Sequence, residues 1–126
     1  MSRVLIVEDD VDVRDWIAHC MLHDGDEIRG VPDGRRLRAL HEDEPGYRPD
    51  LVLMDYALPD TNGVDLLAEL HVFWPDVPAV FVTVQWTGEI IEQIERTGYE
   101  RIAKPFNPAD LRAAASRALA LRETRE

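Results

Sequence analysis

Val4 to Val7 are all apolar, as are LVLM at 51–54 and most of PAVFVTV at 78–84. A strand with one wet face alternates polar and apolar side chains, whereas an unbroken apolar run needs cover on both faces. Each run is followed by a stretch with helical spacing. In DVRDWIAHCML (12–22), Val13, Ile17, Cys20 and Met21 fall on one face. DEIRGV (26–31) reads as a weaker second strand, and DGRRLRALHE (33–42) as a short helix with Leu37 and Leu40 inward. GVDLLAELHVFW (63–74) gathers Leu66, Leu67, Leu70, Phe73 and Trp74 on one side and stops at Pro75. GEIIEQIERTG (88–98) turns Ile90, Ile91 and Ile94 inward and ends at Gly98, a C-cap signal. RIA (101–103) is a brief fifth strand. NPADLRAAASRALALR (107–122) opens with Asn107 as N-cap, Pro108 in the first turn and Asp110 at the third position. Five strand–helix units predict an α/β fold, a doubly wound five-stranded parallel sheet with helices on both faces.

A length of 126 residues fits one domain, 1–126, with a core over about 3–121 and the polar tail RETRE at 122–126. With 45% hydrophobic and 31% charged residues, the chain reads as a soluble globular protein. Cys20 is the only cysteine, on an apolar helix face, so it is expected as a buried structural thiol in a reducing cytoplasm. No run is long enough to span a membrane, and MSRVLIVEDD meets acids too early for a signal peptide. A net charge of −11 repels phosphate backbones, so direct nucleic-acid binding is not expected.

In a parallel sheet of this kind, ligands sit at the carboxyl ends of the strands. Those ends carry Glu8, Asp9 and Asp10 on the first strand, Asp55 on the third, Thr83 on the fourth, and Lys104 with Pro105 after the fifth. Clustered carboxylates repel one another, and a hard divalent cation is the usual remedy. Magnesium (or manganese) beside a lone carboxylate, a hydroxyl and an ammonium suits phosphoryl transfer, with Asp55 as nucleophile forming an aspartyl phosphate. Asp10 is expected at the rim, starting the first helix, while Pro59 and Gly63 shape the loop after Asp55.

VLIVEDD, LVLMDYALPDTNG, VFVTV and AKPF, in this order and spacing, resemble the response-regulator receiver domain of two-component signalling, the CheY-like phospho-acceptor module. The resemblance runs from Val4 to about Leu121. It implies strand order 2-1-3-4-5, phosphorylation at Asp55, Asp9 as a direct magnesium ligand, Glu8 holding the metal often through water, and the Ala57 carbonyl as a further ligand. Thr83 takes the place of the switch hydroxyl and Lys104 that of the phosphoryl-contacting lysine, with a cis Lys104–Pro105 bond. Implied partners are a histidine kinase or histidine phosphotransfer protein and a downstream effector. The helix 4–strand 5–helix 5 face would serve output or a dimer, with Trp86, Arg101, Arg112 and Glu89 on it. Catalysis is limited to self-catalysed phosphoryl transfer and dephosphorylation.

Several positions depart from the family pattern. Arg101 stands where an aromatic is usual, Tyr99 is expected to point the other way, and Val84 is bulkier than usual beside Thr83, which predicts altered phosphodonor access or dephosphorylation. The chain is expected to stand alone and to signal through partner binding. A phosphorelay intermediate, a phosphate sink or an isolated receiver of a longer regulator are the alternatives. An aspartyl-phosphate phosphohydrolase of haloacid-dehalogenase type needs a second aspartate where Ala57 stands. A flavin binder needs a Gly/Ser/Thr-rich loop where the acidic EDDVDV stands. His19, His23, His41 and His71 share no ligand spacing and read as surface residues, HEDEPGYRPD (41–50) as a solvated loop, and Trp16 and Trp74 as core or partly buried anchors.

Overall fold

The computed structural model describes residues 2–22, 26–84 and 87–125, with side chains described up to 120. Strands and helices alternate: β1 (Arg3–Val7), α1 (Val11–Met21), β2 (Glu27–Val31), α2 (Gly34–Asp43), β3 (Leu51–Met54), α3 (Gly63–Phe73), β4 (Ala79–Thr83), α4 (Gly88–Thr97), β5 (Glu100–Ala103) and α5 (Pro108–Arg125). All pairings are parallel, in the order β2-β1-β3-β4-β5.

Successive side chains of a strand point to opposite faces, and this divides the core in two. Leu5, Val7, Val52, Met54 and Phe81 pack with Leu37, Leu66, Leu67, Leu70, Trp74 and Ile94 beneath α2, α3 and α4. Val4, Ile6, Leu51, Leu53, Val80 and Val82 pack with Ile17, Cys20, Met21, Leu111, Ala114, Ala115 and Ala118 beneath α1 and α5. Cys20 is thus a buried free thiol. The alanines let α5 lie close to the sheet, since they ask for little depth. Its start follows the capping pattern: Asn107 Oδ1 accepts the Asp110 amide at 2.8 Å. Gly98 closes α4 with φ 77°, in the left-handed region where a Cβ is unfavourable.

Three sequence expectations need correction. Trp16 is 46% exposed and stacks on His19, because α1 turns Ile17, Cys20 and Met21 inward instead. The segment 41–50 is not simply a solvated loop: α2 runs to Asp43, and Tyr47 is buried edge-on to Trp74, whose Nε1–H donates to the Tyr47 carbonyl at 3.0 Å. His41 stacks on Phe73 at 4.1 Å and His71 bonds the Val77 carbonyl at 3.0 Å, so both are packed rather than free surface residues. His23 lies outside the described residues. Among the described residues, no helix is long and apolar enough to cross a membrane.

Candidate functional site

Strand register brings the acids together. Val7 pairs with Met54, so Glu8 and Asp55, the next residues on adjacent strands, emerge side by side. The Asp55 amide donates to the Val7 carbonyl at 3.0 Å, fixing the end of β3 against β1. Carboxylate oxygens of Glu8, Asp9 and Asp55 lie within 4.8 Å of one another. Glu8 is 1% and Asp55 8% exposed, while Asp9 faces solvent. Asp10 stands aside: its carboxylate caps α1, accepting from the amides of Asp12 at 2.9 Å and Val13 at 3.3 Å.

Lys104 reaches in from the end of β5. Its ammonium donates to Asp55 Oδ2 at 3.0 Å and also contacts Glu8 Oε1. The Lys104 amide donates to the Thr83 carbonyl at 3.2 Å, holding the residue after β5 to the end of β4. Thr83 is fully buried, and the Lys104–Pro105 bond is cis.

Burial pushes the Glu8 carboxyl up to about 7; the hydrogen bond from Lys104 opposes this and the Asp55 charge adds to it. Burial works against the Lys104 ammonium, but its hydrogen bonds to Glu8 and Asp55 outweigh that and raise it. One ammonium thus serves two of three crowded carboxylates. The donor set is all oxygen and carries more negative charge than Lys104 neutralises, which fits a hard divalent cation.

The loop after Asp55 is tightly folded. Ala57 N donates to Asp55 Oδ1 at 3.3 Å, Leu58 N to the Thr61 carbonyl at 3.2 Å, and Gly63 N to the Tyr56 carbonyl at 2.7 Å. A Cβ at Gly63 would sit 2.6 Å from the Asp55 carbonyl oxygen, so only glycine lets α3 start this close to Asp55. Asn62 caps α3 by accepting the Asp65 amide at 2.9 Å.

The remaining sequence candidates lie apart from the acids. Arg101 pairs with Glu95 of α4 at 3.1 Å, and Tyr99 lies against His71 of α3 with ring centroids 5.8 Å apart. Tyr99 and Arg101 therefore face the same side of the sheet, as residues two apart do, and the expectation of opposite directions is corrected. Arg112 reaches the Cys20 carbonyl of α1 at 3.5 Å, while Glu89 is exposed in the first turn of α4. Val84 is 57% exposed beside Thr83. Trp86 lies outside the described residues.

Three contacts near the site escaped sequence reading. Asp60 accepts the amides of Gly34 at 3.1 Å and Arg35 at 2.9 Å at the start of α2. Arg14 Nη1 donates to the Glu8 carbonyl at 2.8 Å. Tyr56 Oη donates to Gln93 Oε1 at 2.9 Å. The first and third join residues 25 or more apart, and nothing in local spacing signals them. Arg14 is only six residues from Glu8, but its apolar stem lies against Gly30 of β2, a pairing the helical pattern does not reveal.

Residues 4–116 match the response regulator receiver domain family. The DNA-binding response regulator MtrA of Mycobacterium tuberculosis is 33% identical over 112 residues, covering 87% of this chain and 47% of MtrA. The regulatory protein AtoC of Escherichia coli is 28% identical over 127 residues, 100% of this chain and 27% of AtoC. The chain thus spans about half the length of the first of these relatives and about a quarter of the second. A CheY-like receiver domain protein from Methanospirillum hungatei superposes with a TM-score of 0.87 at 28% identity, over 100% of this chain and 99% of its own. NtrX from Brucella abortus does so with a TM-score of 0.84 at 31% identity, over 98% of this chain and 28% of NtrX.

Proposed function

The chain belongs to the response regulator receiver family of two-component signalling, and on that premise we propose that Asp55 accepts a phosphoryl group from a histidine kinase or histidine phosphotransfer protein. The observation that carries this is the convergence of Glu8, Asp9 and Asp55 with Lys104 at one edge of the sheet, Asp55 at a strand tip and gripped from both sides.

Asp55 attacks phosphorus through a carboxylate oxygen. The new P–O bond forms as the bond to the donor nitrogen breaks, and the leaving imidazole takes the electron pair. Lys104 holds an ammonium against the acceptor carboxylate, where charge develops on the phosphoryl oxygens. Thr83, at the end of β4, supplies a hydroxyl toward those oxygens. Glu8, Asp9, Asp55 and the Ala57 carbonyl would hold magnesium, which supplies charge neutralisation during transfer. Asp9 faces solvent, where a donor protein enters. Hydrolysis of the acyl phosphate at the same site makes the signal transient.

The output face is assigned to α4, β5 and α5, including Arg101, for an effector protein or a second copy of the chain. The ion pair of Arg101 with Glu95 favours a phosphorelay or interaction role over a switch that swings an aromatic ring inward. A net charge of −11 argues against direct nucleic-acid contact by this region, and the working compartment is the cytoplasm.

Intact mass after incubation with magnesium and acetyl phosphate tests the reading. Wild type is expected to gain one phosphoryl group, only with magnesium, and Asp55→Asn none. An adduct of equal yield on Asp55→Asn would overturn the assignment.

A further inference from the structure

We propose that Tyr56 is a positioning residue that ties α4 to the acceptor, so that the state of Asp55 sets where α4 sits; the inference rests on Asp55 being the phosphoryl acceptor. The Tyr56 backbone is gripped by the acceptor turn. The Asp55 carboxylate reaches across it to the Ala57 amide at 3.3 Å, and the Gly63 amide donates to its carbonyl at 2.7 Å. Its side chain leaves the turn and donates to Gln93 Oε1 of α4 at 2.9 Å. This bond lies at the edge of a cleft of about 420 Å³ lined by Tyr56, Val64, Asp65, Gln93 and Arg96, and it adds a directional tie to the apolar contact of Tyr56 with the core that also takes Ile94.

The helix at the far end is lightly held. Ile94 is the fully buried side chain of α4, with Ile90 partly buried against the core, whereas α3 buries Leu66, Leu67 and Leu70. The Arg101–Glu95 pair is a weak restraint, because the Glu95 side chain is 62% exposed. A phosphoryl group on Asp55 takes its carboxylate off the Ala57 amide. The Tyr56 peptide then turns, the hydroxyl follows, and α4 is released or redrawn. Arg101 needs no inward swing in this arrangement.

Hydrogen exchange over residues 88–97, with intact mass as the monitor of Asp55, decides the matter. In wild type, magnesium and acetyl phosphate are expected to change exchange in α4. Tyr56→Phe is expected to take the same adduct. Its α4 should exchange roughly 2- to 10-fold faster before phosphorylation, the factor set by one neutral hydrogen bond, with no further change afterwards. Exchange in α1 and α5 should stay as in wild type, which a general loss of stability would not allow. Gln93→Ala should reproduce this, and the double variant should add nothing. Wild-type exchange of α4 in untreated Tyr56→Phe, or a phosphorylation response that survives in it, overturns the proposal. A wild type that takes no adduct sinks the acceptor reading instead, and the untreated comparison still decides whether Tyr56 holds α4.

Discussion

Glu8 is a carboxyl with 1% exposure that shares one ammonium with Asp55. Its group rises from 4.5 to about 7, with burial the main cause. Below 4.5 both folded and unfolded chains hold the proton. Between the two values the folded chain keeps a proton that the unfolded chain releases, so the stability Glu8 contributes falls as pH rises through that window. The metal-free protein is therefore expected to lose denaturant midpoint across it, and Glu8→Gln to flatten the slope. Magnesium binds the ionised form, so its stabilising effect on the melting temperature should be greater at about pH 8 than at about pH 5.5. Equal magnesium shifts at both would contradict the metal assignment. Val84 is the second residue to test. It follows Thr83 in the chain, and its side chain is 57% exposed. A smaller side chain next to Thr83 leaves more room for water, so Val84→Ala should shorten the phosphoryl lifetime several-fold, read by loss of the adduct with time after removal of the donor.

Among the elements, α2 shows how a loop and a helix hold each other. Asp33 caps it locally, accepting the Arg36 amide at 2.8 Å, while Asp60 accepts the two first-turn amides from across the fold. Burial alone would push the Asp60 carboxyl up, but the amides of Gly34 and Arg35 and the charge of Arg38 hold it below its ordinary value. A depressed carboxyl gives stability that is present above its unfolded value and lost as pH falls through the folded one. Asp60→Ala should thus cost about 1 kcal/mol at neutral pH, the usual worth of a helix cap, and less in acid. Denaturant curves for the pair of proteins at the two pH values would show it. The apolar face of α3 and the cap of α5 at Asn107 were legible in the sequence. Asp60 was not, since its partners lie in another unit. Tyr47 was misread for the same reason: it sits among polar neighbours, and Trp74, far along the chain, buries it.

At the scale of the whole molecule, a formal charge of −11 on 126 residues repels itself, and the acids at the sheet edge concentrate part of that repulsion. Screening by salt weakens repulsion between exposed charges. Sodium chloride is expected to raise the melting temperature between low and physiological ionic strength. Magnesium at a small fraction of that ionic strength should do more, as expected of an ion held by the Glu8, Asp9 and Asp55 carboxylates. If Asp9→Ala leaves the magnesium increment intact, the effect is bulk screening and not site binding.

The sequence by itself determined the strand–helix alternation, the burial of both sheet faces and the arrival of Glu8, Asp9, Asp55, Thr83 and Lys104 at one edge. These follow from periodicity and from parallel winding, which are local or repeated along the chain. Tertiary structure alone decided that Glu8 is buried while Asp9 is open, and that one lysine serves two carboxylates. It likewise decided that Asp60 caps α2, that Tyr56 reaches α4, and that Arg101 is taken up by Glu95. Sequence spacing fixes which way a residue faces within its own element. Whether its charge is desolvated, and which distant donor it meets, is set only when the elements pack.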